Sequence, residues 1–185
     1  MTDRPRFEQL ALVHMDAAHN LALWLLRERA DAEDAVQDAY LRAYRAFHQL
    51  EGAEIKPWLL TIVRNVCYRR LQERRRSANV ISLDVALSTR PGSLGDGAMI
   101  SAQRSPEQAA VSSSEQAMLS AAMAELPPVF REVIVLREIE ELSYREIADI
   151  IGAPVGTVMS RLSRARGELR TVLTQLMDLD DDHAM

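Results

Sequence analysis

The feature that most limits the folds open to this chain is the stretch LSYREIADIIGAPVGTVMSRLSRAR, at residues 142–166. Ser143 and Glu146 match the S-x-x-E capping box, which predicts that a helix begins directly after the serine. Gly152 can take the left-handed conformation that ends a helix, and Pro154 favours the start of another. Two short helices joined by so tight a turn form a helix-turn-helix pattern.

The second helix of this motif has an apolar face and a polar face. The predicted inward face comprises Val155, Val158, Leu162, Ala165 and Leu169. The predicted outward face is small, polar and basic, and comprises Thr157, Ser160, Arg161 and Arg164. Such a face suits the major groove of duplex DNA, where side chains can reach base edges and phosphates. We therefore predict DNA binding, against the alternative of a helical hairpin with a solvated arginine face.

A second basic helix is predicted upstream, over residues 57–76. Its arginines are opposed by a single glutamate and comprise Arg64, Arg69, Arg70, Arg74, Arg75 and Arg76. Trp58 and Tyr68 lie on the same helix as Arg64 and Asn65. Aromatic side chains interleaved with arginines suit unstacked bases and single strands. The alternative is that Trp58 belongs to the core and that the arginines are solvated.

The helix predicted over residues 29–47 carries acidic side chains on one face. Asp34, Gln37, Asp38 and Leu41 follow the spacing i, i+3, i+4 and i+7, which places them together. Negative charge disfavours contact with DNA, so this face indicates a docking surface for a basic protein partner. The alternative is a helix face that only meets solvent.

Apolar spacing predicts what these helices bury. Steps of three and four residues predict an amphipathic helix over residues 7–30. Its apolar positions are Leu10, Val13, Ala17, Leu21, Trp24 and Leu25. For the helix over residues 29–47 we predict Asp31 as the N-cap. The predicted buried stripe of that helix comprises Val36, Tyr40, Ala43 and Phe47.

Composition favours an all-α fold, because hydrophobic residues are 48% of the chain while aromatic residues are only 5%. Residues 77–111 are rich in glycine, serine and proline and lack a sustained period, so we predict a mostly irregular linker. The prediction is two small helical domains, at residues 1–76 and 112–177, joined by a flexible linker. Residues 178–185 form an acidic tail that we expect to fray.

Several classes of function lack support in the sequence. His14, His19, His48 and His183 show no metal-ligand spacing with Cys67, so we predict no metal site. Neither a phosphate-binding glycine loop nor a nucleophile constellation is present, so we predict no cofactor and no enzymatic activity. The single cysteine excludes an internal disulfide, and no apolar run is long enough to cross a bilayer. We expect a cytoplasmic protein without membrane insertion.

The acidic helix, the basic helix and the helix-turn-helix motif, in this order, resemble a bacterial sigma factor of the extracytoplasmic-function (ECF) type. The segments that carry the resemblance are DAEDAVQDAYLRAYRAF, PWLLTIVRNVCYRRL and LPPVFREVIVLREIEELSYREIADIIGAPVGTVMSRLSRAR. The resemblance covers residues 7–76 and 116–175. It implies a helical domain called region 2, a linker, and a helical domain called region 4 that contains the helix-turn-helix motif.

The resemblance implies core RNA polymerase and promoter DNA as partners. The acidic face would dock on the clamp helices of the large polymerase subunits, through Asp34, Gln37, Asp38 and Leu41. The flap of the large subunits would be a further contact on the polymerase, and the linker would thread toward the active cleft and the RNA exit path. An anti-sigma factor that covers both domains, often membrane-anchored, is a further implied partner.

Region 2 in this family melts the promoter −10 element and captures a flipped base. The positions implied in −10 binding are Ala46, Leu50, Trp58, Arg64, Asn65, Tyr68, Arg69 and Arg70. Asn65 stands where the family has its base-contacting asparagine. Leu50 replaces a larger aromatic residue of many relatives, and Arg69 replaces an acidic one.

Region 4 would read the −35 element as duplex, through Thr157, Ser160, Arg161 and Arg164. Met159 replaces a basic residue that is common in the family, so we expect one DNA contact fewer. Two other functions remain open from the residues themselves. One is a stand-alone helix-turn-helix regulator with a sensing or dimerising N-terminal domain. The other is a protein-binding adaptor without a role in DNA binding.

Overall fold

The structure, a computed structural model, describes residues 3–50, 54–81 and 106–183. Every regular element within these ranges is a helix, which confirms the all-α prediction. The α-helices are α1 (Asp3–Ala11), α2 (Met15–Leu26), α3 (Arg29–Ala46), α4 (Ile55–Ile81), α5 (Pro106–Glu125), α6 (Pro128–Ile134), α7 (Tyr144–Ile151) and α8 (Val155–His183). Among these described residues, no helix combines the length and the apolar content that crossing a bilayer requires.

The predicted single helix over residues 7–30 is wrong, because a 3-10 turn at Leu12–His14 separates α1 from α2. A 3-10 turn has three residues per turn instead of 3.6, so the apolar face changes direction there. As a result Val13 is 72% exposed and Leu10 is also exposed, whereas Phe7 is buried. Of the predicted inward positions beyond the turn, Ala17, Leu21 and Leu25 are buried as expected, and Trp24 is half-buried.

Helix α3 follows the predicted stripe but not the predicted cap. Val36, Ala43 and Phe47 are buried, as predicted, and Tyr40 is half-buried. The N-cap residue is Glu28, without a side-chain cap bond, so the prediction of an Asp31 cap is wrong. Helix α3 already begins at Arg29, so Asp31 lies within its first turn and not at its cap.

Helices extend into both segments that were predicted to be irregular. Helix α4 continues to Ile81 and α5 begins at Pro106, so the two ends of the predicted linker at residues 77–111 are helical. Proline suits the first turn of a helix, and the alanines and glutamates that follow favour its continuation. Residues 82–105 lie outside the described residues. Helix α8 continues to His183, into the predicted tail.

The turn between α7 and α8 has the predicted geometry. The Ser143 backbone N–H donates to Glu146 Oε2 at 2.7 Å, and the Glu146 N–H donates to Ser143 Oγ at 3.3 Å. Gly152 ends α7 with φ of 65°, in the left-handed region. The Pro154 carbonyl then accepts a hydrogen bond of 2.8 Å from the Thr157 N–H, at the start of α8. The helix-turn-helix prediction is therefore confirmed in its local geometry.

Two helical halves pack against each other. Helices α2, α3 and α4 pack together in the N-terminal half (α1–α4), and α5, α6 and α7 pack on α8 in the C-terminal half (α5–α8). Helix α4 also packs against α7, and α2 packs against α6 and the π-helical turn Val135–Ile139 that follows it. One apolar cluster therefore continues across both halves, from Leu21 and Val63 to Leu136 and Ile147.

Candidate nucleic-acid interface

Helix α8 exposes two of its four predicted DNA-reading side chains to solvent and half-buries the other two. Ser160 and Arg164 are exposed and Thr157 is half-buried. The Ser160 hydroxyl donates to the Thr157 carbonyl at 3.0 Å. Val158 on the opposite face is fully buried, which fixes the direction of the exposed face. Arg161 differs, because its Nη1 lies 3.7 Å from Glu132 Oε1.

The basic helix α4 is less available to nucleic acid than its sequence indicates. Asn65 is exposed, as base contact requires. Arg64 turns toward the C-terminal half, and its side chain is only 17% exposed. The Arg64 guanidinium also lies over the Tyr68 ring, 4.5 Å from the ring centre. Burial, with Glu132 close by, raises the pKa of the Tyr68 hydroxyl above its ordinary value.

The residues near the start of α4 form a partly apolar corner. Ala46, Leu50 and Trp58 are all half-buried. Leu50 and Trp58 pack against a small cluster that contains Phe7 and Phe47. The packing of Trp58 agrees with the alternative that it belongs partly to the core, and its role in base binding stays a prediction.

The acidic face of α3 and the basic helix α4 are joined by ion pairs. Arg69 Nη2 lies 2.8 Å from Asp38 Oδ2, and Arg70 Nη1 lies 3.9 Å from Asp34 Oδ2. Asp38 also accepts a hydrogen bond of 2.8 Å from Arg42 Nε. Arg42 and then Arg69 hold the pKa of Asp38 below its ordinary value. The predicted docking residues and the predicted −10 residues therefore share a surface.

Gln37 and Leu41 are exposed and border an apolar groove between α1 and α3. Its volume is about 580 Å³. The aromatic and aliphatic lining comprises Phe7, Leu12, Met15, Val36, Tyr40 and Tyr44. Leu41 is 59% exposed, which is unusual for so large an apolar side chain. The sequence predicted that Gln37 and Leu41 lie on one face of α3. It did not predict the groove, because helix α1 forms the opposite wall of the groove.

Sequence reasoning also missed the buried acid that joins the two DNA-facing helices. Glu132 of α6 is fully buried. Arg64 donates to it through Nε at 2.7 Å and through Nη2 at 3.3 Å, in a two-point ion pair. Arg161 approaches the same carboxylate from α8. An Arg-Glu pair beside the apolar run of residues 133–136 was the available signal, because a segment that is apolar on every side is buried and can bury its flanking charged residues with it.

Arg131, which precedes Glu132 in α6, links this helix by hydrogen bonds to the end of α5 and to α2 in the N-terminal half. It donates to the carbonyls of Met123, Ala124 and Leu126 at 2.7–2.8 Å, where α5 ends. Its Nη1 also donates to the Trp24 carbonyl of α2 at 2.7 Å. Burial lowers the pKa of Arg131 to about 10, so it stays charged at neutral pH. The four acceptors compensate the cost of burying this charge.

A third polar contact crosses between the halves at the start of α4. Lys56 Nζ lies 3.1 Å from Glu140 Oε2 and donates to the Glu140 carbonyl at 3.0 Å. The Asn20 amide donates to Glu140 Oε1 at 3.2 Å. Burial, and then the nearby Lys56, lower the pKa of His14. In the part of the chain that the structure describes, no cluster of three or more metal-ligating side chains occurs.

The chain matches two families along most of its length. Residues 10–77 match the family described as Sigma-70 region 2, and residues 116–169 match Sigma-70, region 4. The ECF RNA polymerase sigma factor SigE of Mycolicibacterium smegmatis is 33% identical, over 92% of this chain and 63% of that protein. The RNA polymerase sigma-H factor of Pseudomonas aeruginosa is 31% identical, over 95% of this chain and 90% of that protein. This chain therefore spans just under two thirds of the first relative and most of the second.

Solved structures give the same result. The sigma factor RpoE from Bartonella quintana, in complex with the anti-sigma factor NepR, superposes with a TM-score of 0.70 at 29% identity, covering 91% of this chain and 97% of that chain. CnrH, in complex with the cytosolic domain of CnrY, shares the fold with a TM-score of 0.64 at 23% identity, covering 94% of this chain and 91% of that chain. The chain belongs to the sigma-70 family, in its ECF group, whose members are non-catalytic, promoter-specific transcription initiation factors.

Proposed function

We propose that this chain binds core RNA polymerase and directs it to promoters whose −10 element is held by α4 and whose −35 element is read by α8. The observation that carries the proposal is the geometry of α7, its turn and α8. A buried face that includes Val158 leaves Ser160 and Arg164 exposed on the second helix. That arrangement suits insertion of α8 into a major groove.

The −35 contact of this chain is expected to differ from that of its relatives. Met159 is exposed on α8, at a position where relatives commonly have a basic residue. A methionine offers an apolar contact, for example to a thymine methyl, but cannot pair with a phosphate. We therefore expect Arg161 and Arg164 to supply the principal charged contacts at this element.

The −10 contact is proposed to centre on Asn65. This side chain is exposed on α4, and its amide can donate and accept hydrogen bonds at a flipped base. Ala46 and Leu50, which are both half-buried, are proposed to form the other side of the base pocket. Because Leu50 is smaller than the aromatic residue of many relatives, we expect a weaker stacking contribution and a changed base preference.

The polymerase is proposed to dock on the face that contains Asp34, Gln37, Asp38 and Leu41. The apolar groove beside Leu41 supports this proposal, because a protein interface needs a desolvated apolar centre as well as a charged rim. The low pKa of Asp38 keeps this carboxylate charged toward basic side chains of the clamp helices. Exposed charge of this kind contributes mainly to the orientation of the two proteins and to the rate at which they associate.

An anti-sigma factor is proposed as the second protein partner. The support is that RpoE, a structural neighbour that is 29% identical, was solved in complex with an anti-sigma factor. The proposed site of action is the cytoplasm, where core polymerase and promoter DNA are present.

The test is transcription from a promoter library by core RNA polymerase with and without this protein. Promoter-specific initiation that requires both components is the expected result, and Asn65→Ala should then reduce selection at the −10 element. Tight duplex binding by the protein alone, without stimulation of the polymerase, would contradict the proposal and favour a stand-alone regulator. A folded protein with neither activity would favour a protein-binding adaptor.

A further inference from the structure

The exposed face of helix α4 extends well beyond Asn65. At about 100° per residue, Gln72 and Arg76 lie within about 20° of Asn65 around the helix axis. All three side chains are exposed, and the buried Val63 and Cys67 lie on the opposite side of the helix. Since each residue adds about 1.5 Å along the axis, the three side chains form a stripe about 16 Å long. The packing of α4 in the core therefore fixes the direction of this stripe.

Gln72 and Arg76 keep their polar groups available along this stripe. Arg70 and Arg74, on another face of α4, pair with the carboxylates of Asp34 and Asp31 on α3. In the part of the chain that the structure describes, by contrast, neither Gln72 nor Arg76 has a side-chain hydrogen bond or ion pair. The stripe therefore offers one amide and one full positive charge to a partner that lies along the helix.

The chemistry of this stripe fits the major groove of paired DNA. A glutamine amide can donate to N7 of one adenine no hydrogen but its own, and can accept one from the N6 amino group of the same base, which makes a two-point contact. An arginine can pair with a phosphate and so fix the register of the helix on the duplex. Residues 69–76 contain no aromatic side chain, whereas unpaired bases are held chiefly by aromatic stacking. The last part of α4 therefore suits paired bases.

We propose that Gln72 is a further base-reading residue of α4, which rests on the function proposed above. Gln72 lies about 10 Å from Asn65 along the helix axis, a length that corresponds to about three base pairs at 3.4 Å each. It reads an adenine in the major groove of the paired DNA that adjoins the −10 element, on the side of Asn65 away from the flipped base. Arg76, one helical turn further along, holds a phosphate at the edge of the same groove.

The test is selection from a promoter library, randomised in the bases that adjoin the −10 element, by core RNA polymerase loaded with the full chain. The unchanged protein should enrich adenine at one position of this paired DNA. Gln72→Ala should lower that enrichment by about fivefold or more and leave the other positions unchanged. Gln72→Glu should transfer the preference to cytosine, because a carboxylate accepts a hydrogen bond from the cytosine N4 amino group. Alanine and glutamate both favour helices, so α4 should persist in each variant.

Two controls separate base reading from a general effect of charge. Gln9→Glu adds the same charge at an exposed glutamine of α1 and should leave every base preference unchanged. The second control places 7-deazaadenine at the selected position, since this base keeps its pairing but lacks the N7 atom that faces the major groove. It should weaken promoter binding by the unchanged protein and have no effect on binding by Gln72→Ala.

Identical base preferences for the unchanged protein and Gln72→Ala would overturn the proposal. A Gln72→Glu variant that is weakened equally on every sequence would overturn it as well, because such an effect is one of charge alone. If the unchanged protein directs the polymerase to no promoter in the library, the proposed function fails, and this proposal fails with it.

Discussion

Arg64 of α4 and Glu132 of α6 form a two-point ion pair across the contact between the two halves, with Arg64 Nε 2.7 Å from Glu132 Oε2. The acid is fully buried and the arginine side chain is 17% exposed. Burial of both charges costs desolvation energy, so the pair stabilises the fold only as long as both partners remain. The pair therefore specifies how the two halves pack together and adds little net stability.

Replacing Glu132 with glutamine should lower the free energy of unfolding by about 2–3 kcal/mol, because Arg64 and Arg161 lose their shared counter-charge in a buried setting. Chemical denaturation followed by circular dichroism measures the change. Glu138→Gln is the control, because the Glu138–Arg166 pair is about half exposed and should contribute less than about 1 kcal/mol. Equal effects for the two variants would contradict the importance of burial.

Breaking the Lys56–Glu140 pair, which joins the two halves, should increase DNA binding by the free protein, because separation of the halves releases Arg64 and Arg161 from Glu132. Lys56→Glu places two carboxylates together at Glu140, and we expect core-free affinity for promoter duplex to rise on the order of tenfold. The added negative charge would by itself weaken DNA binding, so an increase separates opening from simple electrostatics. Fluorescence anisotropy measures the affinity.

The exchanged pair Lys56→Glu with Glu140→Lys restores opposite charges at the original net charge. It should return the affinity toward that of the unchanged protein. A double variant that binds DNA as tightly as Lys56→Glu would show that this ion pair does not hold the two halves together.

Local signals in the sequence predicted the local structure well. The capping box at Ser143 and the left-handed turn at Gly152 are determined by residues within one helical turn of each other, so sequence alone was sufficient. The prediction of one continuous N-terminal helix was wrong because nothing in the apolar spacing marks the 3-10 turn at Leu12–His14. Packing of Phe7 against Phe47 and Tyr40 favours a change in direction there, and that packing is a tertiary effect.

The sequence predicted which side chains of the candidate site lie on the exposed faces of their helices. It did not predict which of these side chains contact one another. The exposure of Ser160, Asn65 and Leu41 follows from helical periodicity, which the sequence contains. The pairing of Arg64 with Glu132 joins residues that are 68 positions apart. No local pattern specifies such a pair, so the interface between the two halves could be found only in the structure.

The capping box should contribute measurably to stability at the start of α7. Ser143→Ala should lower the free energy of unfolding by about 1 kcal/mol at neutral pH, because the Glu146 N–H loses its acceptor. Hydrogen bonds from Ser143 hold the pKa of Glu146 below its ordinary value. The contribution of this carboxylate is therefore complete above the unfolded pKa of about 4.3 and is lost as pH falls through the lower folded value.

Denaturation across acidic pH tests this linkage. Glu146→Gln should remove the corresponding part of the acid-side slope, while Glu138→Gln on an exposed surface should leave this contribution in place. An unchanged slope in the Glu146 variant would contradict the linkage.

Cys67 should report unfolding of the N-terminal half. It is the only cysteine of the chain and is fully buried on α4, and burial raises the pKa of its thiol to about 12. Since the thiolate is the reacting form, an aromatic disulfide reagent should label the native protein very slowly and the denatured protein rapidly. Absorbance of the released thiolate follows the reaction.

The Lys56→Glu variant should keep Cys67 protected, because the Lys56–Glu140 pair lies between the halves whereas the thiol lies in the core of the N-terminal half. Rapid labelling of that variant would indicate that the N-terminal half unfolds when the halves separate.

Arg164 should contribute a charged DNA contact that depends on position and not only on net charge. Arg164→Ala should weaken the complex of the loaded polymerase with promoter DNA and lower the slope of log affinity against log salt by about 1 if the contact is to a phosphate. The control is Arg29→Ala, which removes one positive charge on α3 from a solvent-exposed pair, where Arg29 Nε lies 3.0 Å from Glu33 Oε1. The control should leave both affinity and slope nearly unchanged. If Arg164→Ala instead weakens binding only at some −35 sequences, with the salt slope preserved, its contact is to a base and α8 reads sequence through this residue.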